Sequence, residues 1–93
     1  MRVCYLSSMK NNKETFWSKA IAGLSANSTD AEFSQQVAAN VFLIRFEECG
    51  GYANPTAFKR AHKAARWMTV YDEDFWTMVY AEFFDTFGCY PRK

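Results

Sequence analysis

The chain has 93 residues, enough for one domain, and its 49% hydrophobic and 18% aromatic content excludes an intrinsically disordered protein. Eleven Lys and Arg residues stand against ten Asp and Glu residues, so the net charge of +1 excludes a polybasic nucleic-acid tail and an acidic mimic. We therefore expect a single globular domain over residues 1–93. Its net charge does not indicate which kind of partner it binds.

The three cysteines, Cys4, Cys49 and Cys89, are odd in number and widely spaced. This pattern favours a reducing compartment over a secreted disulfide framework. The first residues lack a sustained apolar segment, and the apolar run over residues 41–44 is too short to cross a bilayer. We expect a cytoplasmic protein without a signal peptide, a membrane span or a membrane partner.

The first predicted elements are a short extended segment and a helix. Residues 2–6 are β-prone, but a lone strand has no partner to pair with, so they predict only an extended N-terminal segment. Asn11 stands three residues before Glu14, as in a capping box, and apolar residues then follow at helical spacing. A first helix is predicted over residues 12–24.

The second predicted helix is the longest. Thr29 and Glu32 form a capping box, which predicts a helix over residues 30–49. Two apolar stripes on its surface are typical of a central helix packed between neighbours. The stripes consist of Phe33, Val37, Val41 and Ile44, and of Ala38, Phe42, Phe46 and Cys49.

Glycine, proline and acidic residues delimit the last two predicted helices. Gly50 and Gly51 end the second helix, and Asn54 followed by Pro55 predicts a third helix over residues 55–69. Acidic residues at 72–74 and Gly88 delimit a fourth helix over residues 73–87. Together these signals predict an all-α fold, a compact bundle of about four helices. The core face of the third helix is predicted to contain Ala57, Phe58, Ala61, Ala64, Ala65 and Met68.

The predicted third helix carries positive charge opposite its apolar face. It holds four of the eleven cationic residues and no acidic residue. Its tryptophan projects at helical spacing between two of these cations. Because Trp and Arg are enriched in interface hot spots, we interpret this surface as a partner-binding patch. The predicted members are Lys59, Arg60, Lys63, Arg66 and Trp67.

The predicted fourth helix has large apolar side chains over about half of its circumference, more than one core face requires. One interpretation buries the whole arc in the core. The other exposes part of it for a partner or for a second copy of the chain, which leaves homodimerisation open. On that second interpretation Trp76, Tyr80 and Phe84 join the predicted partner-binding residues.

The cations of the third helix allow two further interpretations. In the first, they pair with nearby acidic residues in a solvated network that has no binding role. In the second, the helix over residues 55–69 is a nucleic-acid-binding element in a helix-turn-helix-like arrangement, with Thr56, Lys59 and Arg60 facing bases. The connector at residues 50–54 is longer than the usual tight turn, which weakens that second interpretation.

The sequence predicts no catalytic or metal site. It contains one histidine, His62, and no Gly-rich phosphate loop. A nucleophilic site at Cys49 or Cys89 is the weakest alternative, because nothing in the spacing joins either thiol to His62. No Cys-x-x-Cys step is present to anchor a metal. We expect no enzyme activity, no cofactor and no metal.

These observations favour a small non-enzymatic protein that binds a host or other partner protein as a regulator or steric inhibitor. Phages and mobile elements use compact proteins of this size as anti-defence inhibitors of the anti-CRISPR or anti-restriction type, an analogy of size and type alone. A nucleic-acid-binding module is the alternative hypothesis.

Overall fold

The fold consists of four α-helices in the computed structural model, which describes residues 16–93. The helices are α1 (Phe16–Ala20), α2 (Asp30–Glu48), α3 (Ala57–Tyr71) and α4 (Glu73–Phe87), and a 3-10 helix (Gly51–Ala53) lies between α2 and α3. Within this part of the chain no strand forms, and one isolated bridge pairs Thr29 with Arg92. The predicted all-α, compact bundle of about four helices is confirmed. The extended segment predicted at residues 2–6 lies outside the described residues.

The α2 helix is central, as its two apolar stripes predict. Its capping box forms, since the Glu32 N–H donates to Thr29 Oγ1 at 3.2 Å and the Thr29 N–H donates to Glu32 Oε1 at 2.9 Å. Phe33, Val37 and Val41 on its inner side are fully buried. These three side chains form the middle of the core.

Residue size decides how closely the other helices approach α2. Small side chains at Ala57, Ala61 and Ala65 are buried and let α3 pack directly on α2. The Cα atoms of α2 and α4 stay more than 8 Å apart, and aromatic rings fill the space between them. There the Phe33 ring lies 5.5 Å from the Phe83 ring and 4.5 Å from the Tyr80 ring.

The predicted end of the first helix is wrong by four residues. The α1 helix ends at Ala20 rather than at residue 24. A side chain from α2 binds the carbonyl groups at this end and just beyond it: Asn40 Nδ2 donates to the carbonyl oxygens of Ala20 and Ala22, both at 2.8 Å. Gln36 Nε2 donates to Asn40 Oδ1 at 3.0 Å and holds that side chain in place. Asn11 and Glu14, the predicted cap of this helix, lie outside the described residues.

The predicted bounds of the third helix are also wrong, by two residues at each end. Asn54 makes a turn instead of a helix cap: its Oδ1 accepts from the Thr56 N–H at 3.1 Å, while its Nδ2 donates to the Cys49 carbonyl at 2.8 Å. This turn contains Pro55, so α3 begins at Ala57 and continues to Tyr71.

Phe58 is not a core residue, contrary to the prediction. The contact between α3 and α2 runs along the alanine face, and Phe58 lies to one side of it, with its side chain 63% exposed. Its ring meets the edge of α2 at Phe42, with 5.2 Å between centroids.

Local signals set both ends of α4 as predicted. Asp72 Oδ1 accepts from the Phe75 N–H at 3.2 Å, and Gly88 ends the helix with a φ of 77°.

The residues that follow Gly88 return to the start of α2. There the Arg92 N–H donates to the Ser28 carbonyl at 3.0 Å, and the Arg92 carbonyl accepts from the Asp30 N–H. We call residues 89–93 the C-terminal strap.

Candidate partner-binding groove

The positive side chains of α3 form no ion pair with any of residues 16–93. Lys59, Arg60, Lys63 and Arg66 are all exposed. The ion pair found within residues 16–93 joins Arg45 to Glu48, and none of the four takes part in it. The solvated network considered above therefore does not form in this part of the molecule. Within the described part of the chain, the outer face of α3 therefore presents four positive charges without a carboxylate partner.

Two aromatic residues lie beside these cations. Trp67 is 67% exposed and Tyr71 is 60% exposed, and their ring centroids are 5.2 Å apart. Tyr71 was not predicted as a site residue, because the predicted helix stopped at residue 69. Its i+4 spacing from Trp67 would have revealed it in a longer helix.

A groove of about 890 Å³ runs between α3 and the C-terminal turn of α2. Its lining is mostly apolar. Half-buried Cys49, Ala64 and Met68 form the bottom, and the exposed side chains form the rim. The rim includes Arg60, Lys63, Arg66, Trp67 and Tyr71. Four of the predicted site residues thus line one groove, whereas Lys59 is on the same helix but outside it.

Arg45 lines this groove without contributing free charge. Its Nη1 lies 2.6 Å from Glu48 Oε1, so the two charges compensate each other. Its Nη2 donates to Met68 Sδ at 3.5 Å, and its guanidinium lies 5.1 Å from the centre of the Phe16 ring. Arg45 therefore ties α1, α2 and α3 together and holds Met68 at the bottom of the groove.

Trp76, a predicted site residue, is half-buried in the packing between α3 and α4. Its Nε1 donates to the Thr69 carbonyl at 2.6 Å, and its ring lies 6.1 Å from the Phe33 ring. These contacts give it a structural role in joining the last two helices.

Tyr80, also predicted as a site residue, is half-buried as well. Its ring stacks on Phe33, and its hydroxyl donates to Asp30 Oδ1 at 2.5 Å. Burial, followed by the hydrogen bond and the negative charge of Asp30, raises the pKa of Tyr80 to about 12. Tyr80 thus connects α4 to the start of α2.

Phe84 lies on a different surface from the groove. It is 43% exposed and packs 4.8 Å from Tyr90 of the C-terminal strap. The strap pairs with the start of α2 near Asp30, whereas the groove is at Arg45, 15 residues and about 22 Å further along the same helix. The structure therefore does not bring Phe84 together with Trp67.

Cys49, Cys89 and His62 are dispersed over the described part of the chain, and Cys4 lies outside it. Cys49 and Cys89 are free thiols, and His62 lines a different cavity from Cys49. Cys89 Sγ donates to the Ala26 carbonyl at 3.6 Å, near the start of α2. Across residues 16–93 there is no group of three or more side chains suited to holding a metal ion. Within the same range, no helix has the length and apolar character needed to span a membrane.

No protein-family model, curated protein or solved structure matched this chain when compared with it. A functional proposal therefore depends on the groove itself: its shape, its exposed aromatic rings and its unpaired cations.

Proposed function

We propose that this protein is a non-enzymatic binding protein that attaches to a partner protein through the α3 groove. The observation that carries the proposal is the 67% exposed Trp67, placed with Tyr71 on the rim of an apolar groove among unpaired cations. Trp, Tyr and Arg dominate the binding energy of known interfaces. Contiguous apolar surface rimmed by polar groups marks interaction sites on proteins that are otherwise well packed.

The charge of the rim selects the kind of partner surface. Arg60, Lys63 and Arg66 have no carboxylate partner among the described residues, so a partner with acidic groups would supply one. Complementary charge speeds the encounter and disfavours basic partners. We therefore propose an acidic partner surface with an apolar centre.

The proposed action is steric. The protein would regulate or inhibit its partner by covering a surface, without chemistry of its own. The inhibitors that phages and mobile elements direct against host defence proteins act in this way, and the proposal extends to them by analogy of size and mode of action.

The test uses matched variants in a pull-down from host lysate, with and without nuclease. We expect the wild type and Lys59→Glu to retain one stoichiometric protein after nuclease treatment. Trp67→Ala and Lys63→Glu should bind that purified protein at least about tenfold more weakly by calorimetry. Lys59 is the matched charge control, because it lies on α3 outside the groove.

Folding must be checked alongside binding. Because Trp67 is 67% exposed, Trp67→Ala should change the free energy of unfolding by less than about 1 kcal/mol in urea titrations. A partner that Trp67→Ala retains at full affinity would contradict the proposal.

Nucleic-acid binding is the second candidate function, favoured by the four unpaired cations on one exposed helix face. Phosphate contacts would make binding fall steeply with salt, with a slope of about −0.9 per contacted phosphate on duplex DNA. Charge reversal at Lys59 and at Lys63 would then weaken binding equally. Fluorescence anisotropy with labelled single- and double-stranded 20-mers across a salt series distinguishes this case from the protein groove.

A further inference from the structure

The geometry of the α3 groove points to a short linear segment of the partner as its occupant. This segment contains two adjacent carboxylates and a pair of bulky apolar side chains, separated by about three residues. The carboxylates stand either before or after the apolar pair. This inference rests on the proposed function and names the chemistry that the groove selects. Its support is the order in which charge and aromatic surface follow each other along α3.

Along α3 the cations of the rim precede its aromatic residues. Arg60 and Lys63 lie on the first half of the helix, Arg66 lies at the boundary, and Trp67 and Tyr71 follow on the second half. The midpoints of the two pairs are separated by 7.5 residues, or about 11 Å of helix. An extended chain covers that distance in about three residues. This spacing sets the separation of acidic and apolar groups in the segment.

The aromatic end suits a bulky apolar anchor. Met68 at the bottom of the groove is half-buried, and a methionine adapts its shape to the side chain it contacts. Trp67 and Tyr71 form a wall with rings 5.2 Å apart and tilted by 40°. An aromatic or branched aliphatic side chain would replace water on both surfaces.

The charged end suits carboxylates more than neutral polar groups. Glu48 also lines the groove, but its carboxylate is paired with Arg45 and leaves the rim cations uncompensated. Arg60 presents a guanidinium that binds a carboxylate through two parallel hydrogen bonds. Lys63, one turn further on, would hold the neighbouring carboxylate as a point charge.

A continuous chain fits the groove better than an isolated small molecule. The groove is open to solvent along its rim, so an extended peptide can lie in it with one side exposed, whereas small-molecule sites enclose most of their ligand. Main-chain groups of an extended segment would stay hydrated at the open side.

Defined peptides test the inference directly. The probe is a fluorescein-labelled peptide containing Glu-Glu-Ser-Leu-Phe between Gly-Ser flanks, measured by fluorescence anisotropy against the full chain. The controls replace Glu-Glu by Gln-Gln or Leu-Phe by Ala-Ala. We expect each control to bind at least about tenfold more weakly than the parent peptide. Lys59→Glu should leave the parent affinity within about twofold, and Lys63→Glu should lower it about tenfold.

A charge swap supplies a second measurement that does not depend on the stability of one variant. The double variant Arg60→Glu with Lys63→Glu should prefer a Lys-Lys-Ser-Leu-Phe peptide over the parent, which reverses the wild-type order. Trp67→Ala should abolish the difference between the Leu-Phe and Ala-Ala peptides.

Three outcomes would overturn the inference: no binding of the parent peptide at 1 mM, a Gln-Gln peptide that binds as well as the parent, or an unchanged order in the charge-swap variant. If the pull-down partner still depends on Trp67 in that case, the proposed function stands and the occupant is a folded surface. If the affinity for the pull-down partner also does not depend on Trp67, both proposals fail. Equal losses of 20-mer binding in Lys59→Glu and Lys63→Glu would assign the surface to nucleic acid instead.

Discussion

Asn40 shows how a single polar side chain can set the end of a distant helix. It is 9% exposed, and its amide donates to two carbonyl groups at the end of α1. Ala20 is the last residue of α1 and Ala22 lies in the turn after it, where carbonyl groups no longer receive the hydrogen bonds of a continuing helix. The buried amide of Asn40, in the middle of an apolar face of α2, therefore connects α2 to the end of α1.

Replacing Asn40 by alanine should lower the free energy of unfolding by about 2 to 3 kcal/mol, because one buried and one partly buried hydrogen bond to carbonyl groups are lost. Urea titration followed by circular dichroism measures the change. Asn27→Ala is the matched control, since Asn27 is exposed and donates to Ser25 Oγ through its backbone N–H, which the substitution retains. Equal stability of the two variants would contradict the role of Asn40.

Tyr80 makes the stability of the protein depend on pH in the alkaline range. Its pKa is raised in the folded protein from 10.0 to about 12, mainly by burial and then by Asp30. A raised pKa means that the folded state binds the tyrosine proton more tightly than the unfolded state does. The contribution of Tyr80 to the free energy of unfolding is therefore complete below pH 10 and is lost as the pH rises towards 12.

The comparison with Tyr80→Phe isolates this effect from the other titrating groups. The stability difference between wild type and variant should be constant below pH 10 and should shrink towards pH 12. Thermal unfolding across this range provides the measurement. A difference that stays constant to pH 12 would show that Tyr80 titrates normally.

At the scale of the element, local capping explains why α4 matches its predicted bounds and α2 matches them to within one residue, whereas the end of α1 and both bounds of α3 were predicted wrongly. The capping box at Thr29, the side chain of Asp72 and the left-handed conformation of Gly88 all act within a few residues of the helix end. The C-terminal end of α1 and the start of α3 depend instead on Asn40 and on the turn built by Asn54. These two contacts depend on where other segments of the same chain are positioned, so the local sequence does not predict the helix ends that they set.

Gly88 allows the cost of a left-handed helix end to be measured alone. Its φ is 77°, and a Cβ added there would meet no atom within 4 Å. Gly88→Ala should therefore lower the free energy of unfolding by about 1 to 2 kcal/mol through backbone strain, without a clash. Gly88→Asn should lose less, because asparagine tolerates this conformation. Chemical denaturation of both variants gives the comparison, and an alanine variant as stable as the wild type would contradict it.

At the scale of the whole molecule, the two ends of α2 contact different parts of the protein. One end meets the C-terminal strap and Tyr80, and the other end forms the groove with α3. About 22 Å of helix separates them, so changes in the strap test stability without touching the candidate site.

Removal of residues 89–93 should lower the free energy of unfolding by about 2 kcal/mol, since two backbone hydrogen bonds to Ser28 and Asp30 are lost along with the Tyr90 contact. Binding through the groove should be unchanged at temperatures where the shortened chain is folded. Calorimetric unfolding and the peptide assay measure the two effects, with deletion of Lys93 alone as the control. A shortened chain of full stability would show that the strap is a passive tail.

The sequence by itself determined the helices, because apolar spacing, capping residues and helix-ending glycine act on neighbouring residues. It also determined the cationic face of α3, since the charges follow from helical geometry alone. It did not determine which aromatic residues are exposed. Trp67 and Trp76 occur in adjacent helices, yet one is exposed and the other is bonded to Thr69.

Only the tertiary structure decided that difference. The alanine face of α3 packs directly on α2 and leaves Trp67 outside, while the wide space between α2 and α4 is filled by Phe33, Trp76 and Tyr80. The groove likewise exists only where the C-terminal turn of α2 meets α3. Burial depends on which surfaces meet, and that depends on side-chain volumes contributed by segments far apart in the chain.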